Sequence, residues 1–147
     1  FAEINPPNAA YYEARHAAFS IRWIDAIKRW EVLATPLKGM GIVEYHKAWT
    51  YLCDWLGMRE IATIEPKPGL EPTTAHLSNM IDTLQRDPAT FILTAPYHAP
   101  RAANWLAERT KIPVVLLPTT VGGTEQAKDL FSLFDDTIRR MLIAIKH

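Results

Sequence analysis

The chain has 147 residues, the usual length of a single domain. Hydrophobic residues make up 48% of it and charged residues 22%, a balance that can bury a core and that excludes intrinsic disorder. Sixteen Lys and Arg residues balance sixteen Asp and Glu residues, so no net charge attracts the chain to nucleic acid or to an anionic membrane. We therefore expect no nucleic-acid partner.

The single cysteine and the start of the chain limit the classes of protein and of targeting segment that the sequence can contain. The single cysteine, Cys53, cannot form an internal disulfide, and no Cys/His spacing matches a closed zinc knuckle. No apolar run approaches the roughly 18–20 residues of a membrane helix, and no signal-peptide pattern opens the sequence. Because the sequence begins with Phe1 rather than Met, we expect that processing or truncation has removed an upstream part, which could include an export signal.

The first third of the chain has the pattern of one long amphipathic helix. Asn5, Pro6 and Pro7 are typical of a helix start, and Pro36 with Gly39 predicts its end. A helix of roughly 28 residues would be about 40 Å long, which is more than a compact domain needs. It is therefore either a packed first helix or a strut that contacts a second domain. Apolar residues recur along it at spacings of three and four: Tyr12, His16, Phe19, Trp23, Ile27, Trp30, Ala34 and Leu37.

From Gly39 onward, short β-type runs alternate with helical segments. The predicted strands are residues 42–46, 60–64, 90–94 and 114–117. The predicted helices are residues 47–56, 73–86, 101–110 and 125–146. Four successive βα units predict an α/β fold: a four-stranded parallel sheet flanked by helices on both faces and preceded by the long N-terminal helix.

The carboxyl ends of the predicted strands are the main functional signal. In an open α/β sheet, ligands bind beyond these ends. The loops that follow the strands here begin at Tyr45 and His46, then cover residues 65–69, 95–98 and 118–123. All of them meet at one edge, which carries the histidines His46 and His98 and is rich in Pro and Gly.

Common catalytic motifs are missing from this edge. The sequence has no G-x-G-x-x-G, no P-loop and no G-x-S-x-G motif. The glycines Gly122 and Gly123 precede a predicted helix and give a weak signal for an anion site. Cys53 lies within a predicted helix, where we expect it to pack. Glu65 stands at the edge with Glu44 behind it, but a hydrolase of the two-carboxylate type needs a second carboxylate at the edge itself.

The five histidines differ in what their positions indicate. His46 is either a structural residue at a strand end or a transition-metal ligand, because imidazole is the commonest ligand for such metals. His98 is a weaker candidate on a loop. His16, His76 and His147 are expected to be structural or solvated.

Four runs of this sequence resemble a known family: GIVEYHKAWTYLCDWLG, IEPKPGLEPTTAHL, APYHAPRAANWLAERTKIPVVLLPTTVGG and DLFSLFD. Together they resemble the C-terminal lobe of the solute-binding proteins of zinc and manganese ABC transporters. The opening stretch, from NPPNAAYYEARHAAF to RWEVLATPLKG, is similar to the helix that links the two lobes in that family. The resemblance covers essentially the whole chain, with residues 1–38 as the interlobe helix and 39–147 as the C-terminal α/β metal-binding lobe.

The resemblance implies a binding protein rather than an enzyme. Its members are periplasmic, or lipid-anchored at the cell surface, and hold one divalent metal ion in a cleft between two lobes. They deliver that ion to the permease of an ABC transporter. The family's N-terminal lobe is absent from this chain, so the missing lobe of the same protein is an expected partner.

The resemblance also implies a ligand set. The family places a His or Glu ligand at the end of the lobe's first strand, where this chain has His46. Manganese-type members and some zinc-type members have an Asp where this chain has Thr120, and a Glu often stands at the position of Ala95. The loss of both carboxylates favours zinc over manganese. Whether His98 substitutes for a missing donor stays open, and we treat it as a tentative second metal ligand.

Two other interpretations remain. The first is a small α/β enzyme that uses His46, Glu65 and His98, with Tyr97 beside them, as acid–base groups. The second is an interaction module that docks through the long helix. Without the second lobe, Trp23 and Trp30 are expected to expose apolar surface, which favours a homodimer of the fragment.

Overall fold

Parallel strands alternate with helices along most of the chain, as the sequence predicts. The computed structural model describes residues 1–146, and His147, which we expected to be structural or solvated, lies outside the described residues. The chain divides into two compact units, one from Phe1 to Leu33 and one from Ala34 onward. The elements in order are α1 (Ala9–Leu33), β1 (Gly41–Glu44), α2 (Thr50–Leu56), β2 (Arg59–Thr63), α3 (Thr74–Arg86), β3 (Phe91–Thr94), α4 (Pro100–Thr110), β4 (Val114–Leu116) and α5 (Leu130–Ala144).

The first unit consists of the long helix α1 and the short 3₁₀ turn Pro6–Asn8 that precedes it. The prediction of a long helix is confirmed. The expectation that Trp23 and Trp30 expose apolar surface is wrong, however, because Trp30 is fully buried and Trp23 is half-buried. The two rings contact each other with centroids 5.3 Å apart. The exposed apolar side chains of α1 include Phe19, on the predicted apolar face, and Ile21 and Val32, which lie elsewhere on the helix.

The second unit is built on the predicted four-stranded parallel sheet, with strand order β2-β1-β3-β4. All residues of the central strands β1 and β3 are buried, as expected for strands covered on both faces. Helices α3 and α4 share one core cluster with Val43 and Ile92. On the opposite face, the rings of Trp55 in α2 and Phe134 in α5 contact each other at 6.0 Å.

This strand order creates a topological switch point at the carboxyl edge of the sheet. From β1 the chain crosses through α2 to the edge strand β2, whereas from β3 it crosses through α4 on the other face to the opposite edge strand β4. The adjacent strands β1 and β3 therefore send their connections in opposite directions. Such a switch point is where ligands bind in open α/β sheets, and it lies between the loops that carry His46 and His98.

The last helix begins later than the sequence predicts. Asp129 accepts a hydrogen bond from the Ser132 amide at 2.7 Å, and the Ser132 hydroxyl bonds back to the Asp129 amide, so this capping box starts α5 at Leu130. The interpretation of the two glycines as an anion site is therefore wrong. They do not precede a helix directly, and their amides already bind the carbonyls of Ala127 and Thr120.

A buried carboxylate attaches the loop after β4 to α5. Asp136 accepts a hydrogen bond from the Thr124 hydroxyl at 2.7 Å and another from Arg140 Nε at 2.7 Å, and it also pairs with Arg139. Burial alone would raise the pKa of Asp136, but the hydrogen bonds from these three partners bring it below its usual range. Among the helices of residues 1–146, none is both long enough and apolar enough to span a membrane.

The tight approach of neighbouring chain segments to Gly41 gives a first prediction. A Cβ atom there would lie 2.6 Å from the carbonyl oxygen of Pro88 and 2.9 Å from Ile61 Cγ1. We expect Gly41→Ala to lower the free energy of unfolding by about 2–3 kcal/mol, the upper part of the range for overpacking, as measured by urea denaturation. The matched control is Gly69→Ala, which has φ +77° and open space around it. It should lower stability by about 1 kcal/mol. Equal losses would contradict the packing at Gly41.

Candidate metal centre

His46 stands just beyond β1, where parallel pairing continues into the loop. The Tyr45 amide donates to the Leu93 carbonyl at 2.8 Å, and the Glu65 amide donates to the Tyr45 carbonyl at 2.9 Å. These bonds hold Tyr45, the residue directly before His46, to β3 on one side and to the end of β2 on the other. The side chain of His46 is 35% exposed, so it is supported by the sheet and still open to the cleft.

The His46 ring is oriented by a carboxylate. Its Nδ1 lies 2.5 Å from Glu65 Oε2. A carboxylate oxygen only accepts hydrogen bonds, so Nδ1 carries the proton and the neutral ring keeps its lone pair on Nε2. A carboxylate behind one ring nitrogen is the usual outer partner of a metal-binding histidine, because it fixes the tautomer and increases the basicity of the other nitrogen.

The pair lies in a cleft of about 580 Å³ at the carboxyl edge of the sheet. The cleft is lined by His46, Lys47, Thr50, Thr63, Glu65, Pro66, Lys67, Pro68 and His76. His76 uses Nε2 to bond the carbonyl of Thr63 at 3.2 Å, and its own amide bonds the hydroxyl of Thr73 that caps α3. Its contacts therefore fasten α3 to β2.

The turn that presents His46 is bonded from inside the protein by Glu44. This carboxylate is fully buried, and its Oε2 accepts the amides of Ala48 at 2.8 Å and Trp49 at 3.0 Å. Burial raises the pKa of Glu44, although the two amide bonds oppose that change. The sequence places Glu44 behind the sheet edge but does not predict this role. The signal was an acidic residue inside an otherwise apolar strand, because such a residue needs buried partners.

Cys53 faces the same carboxylate from the next helix. Its Sγ is 3.9 Å from Glu44 Oε1, and the side chain is buried. Burial, with the nearby charge of Glu44, raises the pKa of the Cys53 thiol to about 12. The thiol is therefore protonated at neutral pH, which agrees with a packing role and not with a nucleophile or a metal ligand.

His98 approaches the His46 ring from the loop after β3, although it is not among the residues that line the cleft. Its ring stacks on Tyr45 with centroids 4.3 Å apart and lies 6.4 Å from the His46 ring. Its Nδ1 accepts the Ala95 amide at 3.0 Å, so the neutral ring carries its proton on Nε2. Burial lowers the pKa of His98, with Glu65 opposing and His46 reinforcing that change. Metal binding through Nε2 would require this ring to give up the Ala95 bond.

The loop after β4 takes another course. Thr120 is exposed, and its hydroxyl bonds the carbonyl of Val121 at 3.2 Å. Pro118 and Thr119 line a second cleft of about 340 Å³ together with Trp49 and other residues of α2 and α5. Within the described residues, the lining of the His46 cleft includes nothing from this loop. The structure thus joins Glu65 and His98 to His46, whereas the Thr120 loop borders the neighbouring cleft.

The site on this chain is small. Residues 1–146 contain no group of three or more His, Cys, Asp or Glu side chains placed to hold a metal ion. They offer one histidine backed by a carboxylate, a combination typical of metal-binding proteins.

Comparison with known proteins identifies the family. The family model described as the periplasmic zinc-uptake complex component A, ZnuA, matches residues 1–144. The chain belongs to this family.

Relatives and solved structures agree with this assignment. The high-affinity zinc uptake system protein ZnuA of Brucella abortus is 27% identical over 146 residues, which are 98% of this chain and 42% of that protein. The chain therefore spans less than half the length of this curated relative. A crystal structure of ZnuA shares the fold with a TM-score of 0.78 and 22% identity, covering 97% of this chain and 51% of the other. A Cd-bound periplasmic metal binding protein from Candidatus Liberibacter asiaticus has a TM-score of 0.78 at 14% identity, covering 98% and 55%.

The hydrogen bond between His46 and Glu65 gives the second prediction. In Glu65→Gln the charged acceptor is lost, so the preference for a proton on Nδ1 should weaken. We expect ¹⁵N NMR of the imidazole ring to show the Nδ1–H tautomer of His46 in the wild type and a mixture of tautomers in the variant. Glu125→Gln removes an exposed carboxylate from another loop and should leave the His46 signals unchanged. A wild-type ring with its proton on Nε2 would contradict the described geometry.

Proposed function

We propose that this chain is the C-terminal part of a periplasmic zinc-binding protein, which captures the ion in a cleft between two lobes and delivers it to the permease of an ABC transporter. Residues 1–38 are the interlobe helix in this proposal, and residues 39–147 are the lobe that supplies His46. The observation that carries it is the His46 ring, which Glu65 orients with the metal-binding nitrogen free of that bond.

The donor chemistry supports zinc. A neutral imidazole nitrogen suits zinc, whereas manganese prefers carboxylate and carbonyl oxygens. Thr120 and Ala95 stand at positions where a carboxylate would favour manganese, the harder of the two ions. The relatives span several metals: ZnuA is named for zinc uptake, and FpvC from Pseudomonas aeruginosa was solved with Mn²⁺. The match to FpvC has a TM-score of 0.73 at 17% identity and covers 99% of this chain and 55% of the FpvC chain. This similarity supports the fold only, so the proposal of zinc rests on the donor atoms.

The remaining ligands come, in this proposal, from an N-terminal lobe. Zinc usually binds four ligands in a tetrahedron, and His46 supplies one of them. The Brucella abortus relative has room for a second lobe, since this chain covers only 42% of it. That lobe and the permease are the partners we propose, and the periplasmic description of the family supports the compartment.

His98 ranks behind His46 as a ligand. Its bond to the Ala95 amide and its stacking on Tyr45 hold the ring in a tautomer whose Nε2 carries a proton. We keep it as a tentative second ligand that can bind only after losing this bond.

The enzyme interpretation finds no support among the relatives. His46, Glu65 and His98 do lie near one another, with Tyr97 against the His98 ring at 4.6 Å. The proteins compared above, however, are named for metal uptake or metal binding and not for a reaction.

The proposal predicts a graded loss of zinc binding in histidine variants of this chain. His46→Ala should weaken the zinc Kd measured by calorimetry about tenfold or more, because the oriented nitrogen is lost. His98→Ala should weaken it less than about threefold, which is below 1 kcal/mol. His16→Ala is the control, since its ring lies on α1 and contacts Ser20.

The result that overturns the ligand role is the same zinc Kd in His46→Ala and in the wild type. A larger loss in His98→Ala than in His46→Ala would reverse the ranking of the two histidines. Manganese titrated in the same way should bind the wild type more weakly than zinc does.

A further inference from the structure

We propose that Glu44 is a positioning residue of the metal site: its buried carboxylate holds the turn that presents His46. The inference rests on the proposed function, because it concerns how that site is held in place. Glu44 is fully buried and is not part of the cleft lining, so it acts through the turn and not as a ligand.

The turn has backbone groups that need partners. β1 ends at Glu44 and α2 begins at Thr50, so the intervening residues 45–49 must change direction within a short distance. The amides of Ala48 and Trp49 lie just before the first turn of α2, where no intrahelical acceptor is available. Trp49 is itself buried, so its amide depends on a partner from the protein.

A single carboxylate oxygen accepts hydrogen bonds from both amides. Glu44 Oε2 accepts the Ala48 amide at 2.8 Å and the Trp49 amide at 3.0 Å. No side-chain nitrogen or oxygen buried within residues 1–146 lacks a partner, so this arrangement is fully satisfied. The two bonds close a loop around His46, which lies two residues after Glu44 and two residues before Ala48.

Glu65 contacts the ring of His46, a residue whose backbone is already held by the turn. The Glu65 amide bonds the Tyr45 carbonyl, and its carboxylate bonds His46 Nδ1. Glu44 places the turn from inside the protein, and Glu65 orients the ring from the cleft. If the turn loosens, the ring moves relative to Glu65, and the metal-binding nitrogen loses its fixed direction.

Three variants separate this role from general packing. Glu44→Leu keeps a buried side chain of similar size and removes the acceptor. Glu44→Gln keeps one oxygen that can accept both amides, with its NH₂ group turned toward the Cys53 sulfur. Cys53→Ala is the matched control, because it leaves a gap beside the same carboxylate without touching the bonds to Ala48 and Trp49.

We expect zinc calorimetry on the full chain to show about a tenfold weaker Kd for Glu44→Leu, a change within about threefold for Glu44→Gln, and no change for Cys53→Ala. The Nδ1 proton signal of His46 should broaden or vanish only in Glu44→Leu. In the wild type, hydrogen exchange should find the Ala48 and Trp49 amides strongly protected. This last measurement stands even if Glu44→Leu does not fold.

Several results would overturn the inference. One is a wild-type zinc Kd in a folded Glu44→Leu variant. Another is a loss of zinc affinity in Cys53→Ala or in Glu44→Gln that equals the loss in Glu44→Leu. A third is fast hydrogen exchange of the Ala48 and Trp49 amides in the wild type. Failure of the proposed function gives a different result, because His46→Ala would then bind zinc with the wild-type Kd. If His46→Ala loses affinity and Glu44→Leu does not, the ligand role stands and only the positioning role fails.

Discussion

Backbone amides that have left one element and have not yet joined the next need acceptors, and the turn after β1 that carries His46 meets this need through Glu44. Two amides of the turn point inward, and the only ionised or polar group that the strand brings to them is Glu44. A buried carboxylate is costly without partners and stabilising with them. Here it has three partners within the turn and α2, counting the thiol of Cys53. The direction in which the chain enters the cleft follows from these bonds.

The second constraint is the strand order. Since β1 and β3 are neighbours whose connections leave on opposite faces, a topological switch point lies between their following loops. His46 and His98 come from these two loops, and Glu65 comes from the loop after β2, on the other side of β1. The two histidines differ in what their hydrogen bonds leave available. Glu65 leaves Nε2 of His46 with a lone pair, whereas the Ala95 amide leaves Nε2 of His98 with a proton.

The sequence predicts the presence of the helices and strands better than it predicts where they end and which residues they pack against. Apolar runs bounded by Gly and Pro locate every strand. The predicted helix over residues 47–56 ends where α2 ends, at Leu56, and the following Gly57 is left-handed with φ +69°. The start of α5 was missed because the capping box of Asp129 and Ser132 lies inside a segment whose apolar pattern already looks helical. The burial of Trp30 could not be read from periodicity, since an apolar face does not reveal what covers it.

Prediction of the candidate site has the same limits. Its location at the carboxyl edge, and the presence of His46 there, follow from parallel topology. The bond from His46 to Glu65 joins residues 19 positions apart and depends on register, which hydrophobic runs alone do not specify. The role of Glu44 depends on the conformation of the turn. The tautomer of His98 depends on one backbone amide. Hydrogen-bond partners of this kind become visible only in three dimensions.

We propose that His46 supplies a zinc ligand through an oriented ring nitrogen. Zinc K-edge X-ray absorption of the zinc-loaded chain, measured in the wild type and in His46→Ala, tests this role most directly. We expect an imidazole signature in the wild type, with a Zn–N distance of about 2.0–2.1 Å, that decreases in the variant. Identical spectra from the two proteins would contradict it.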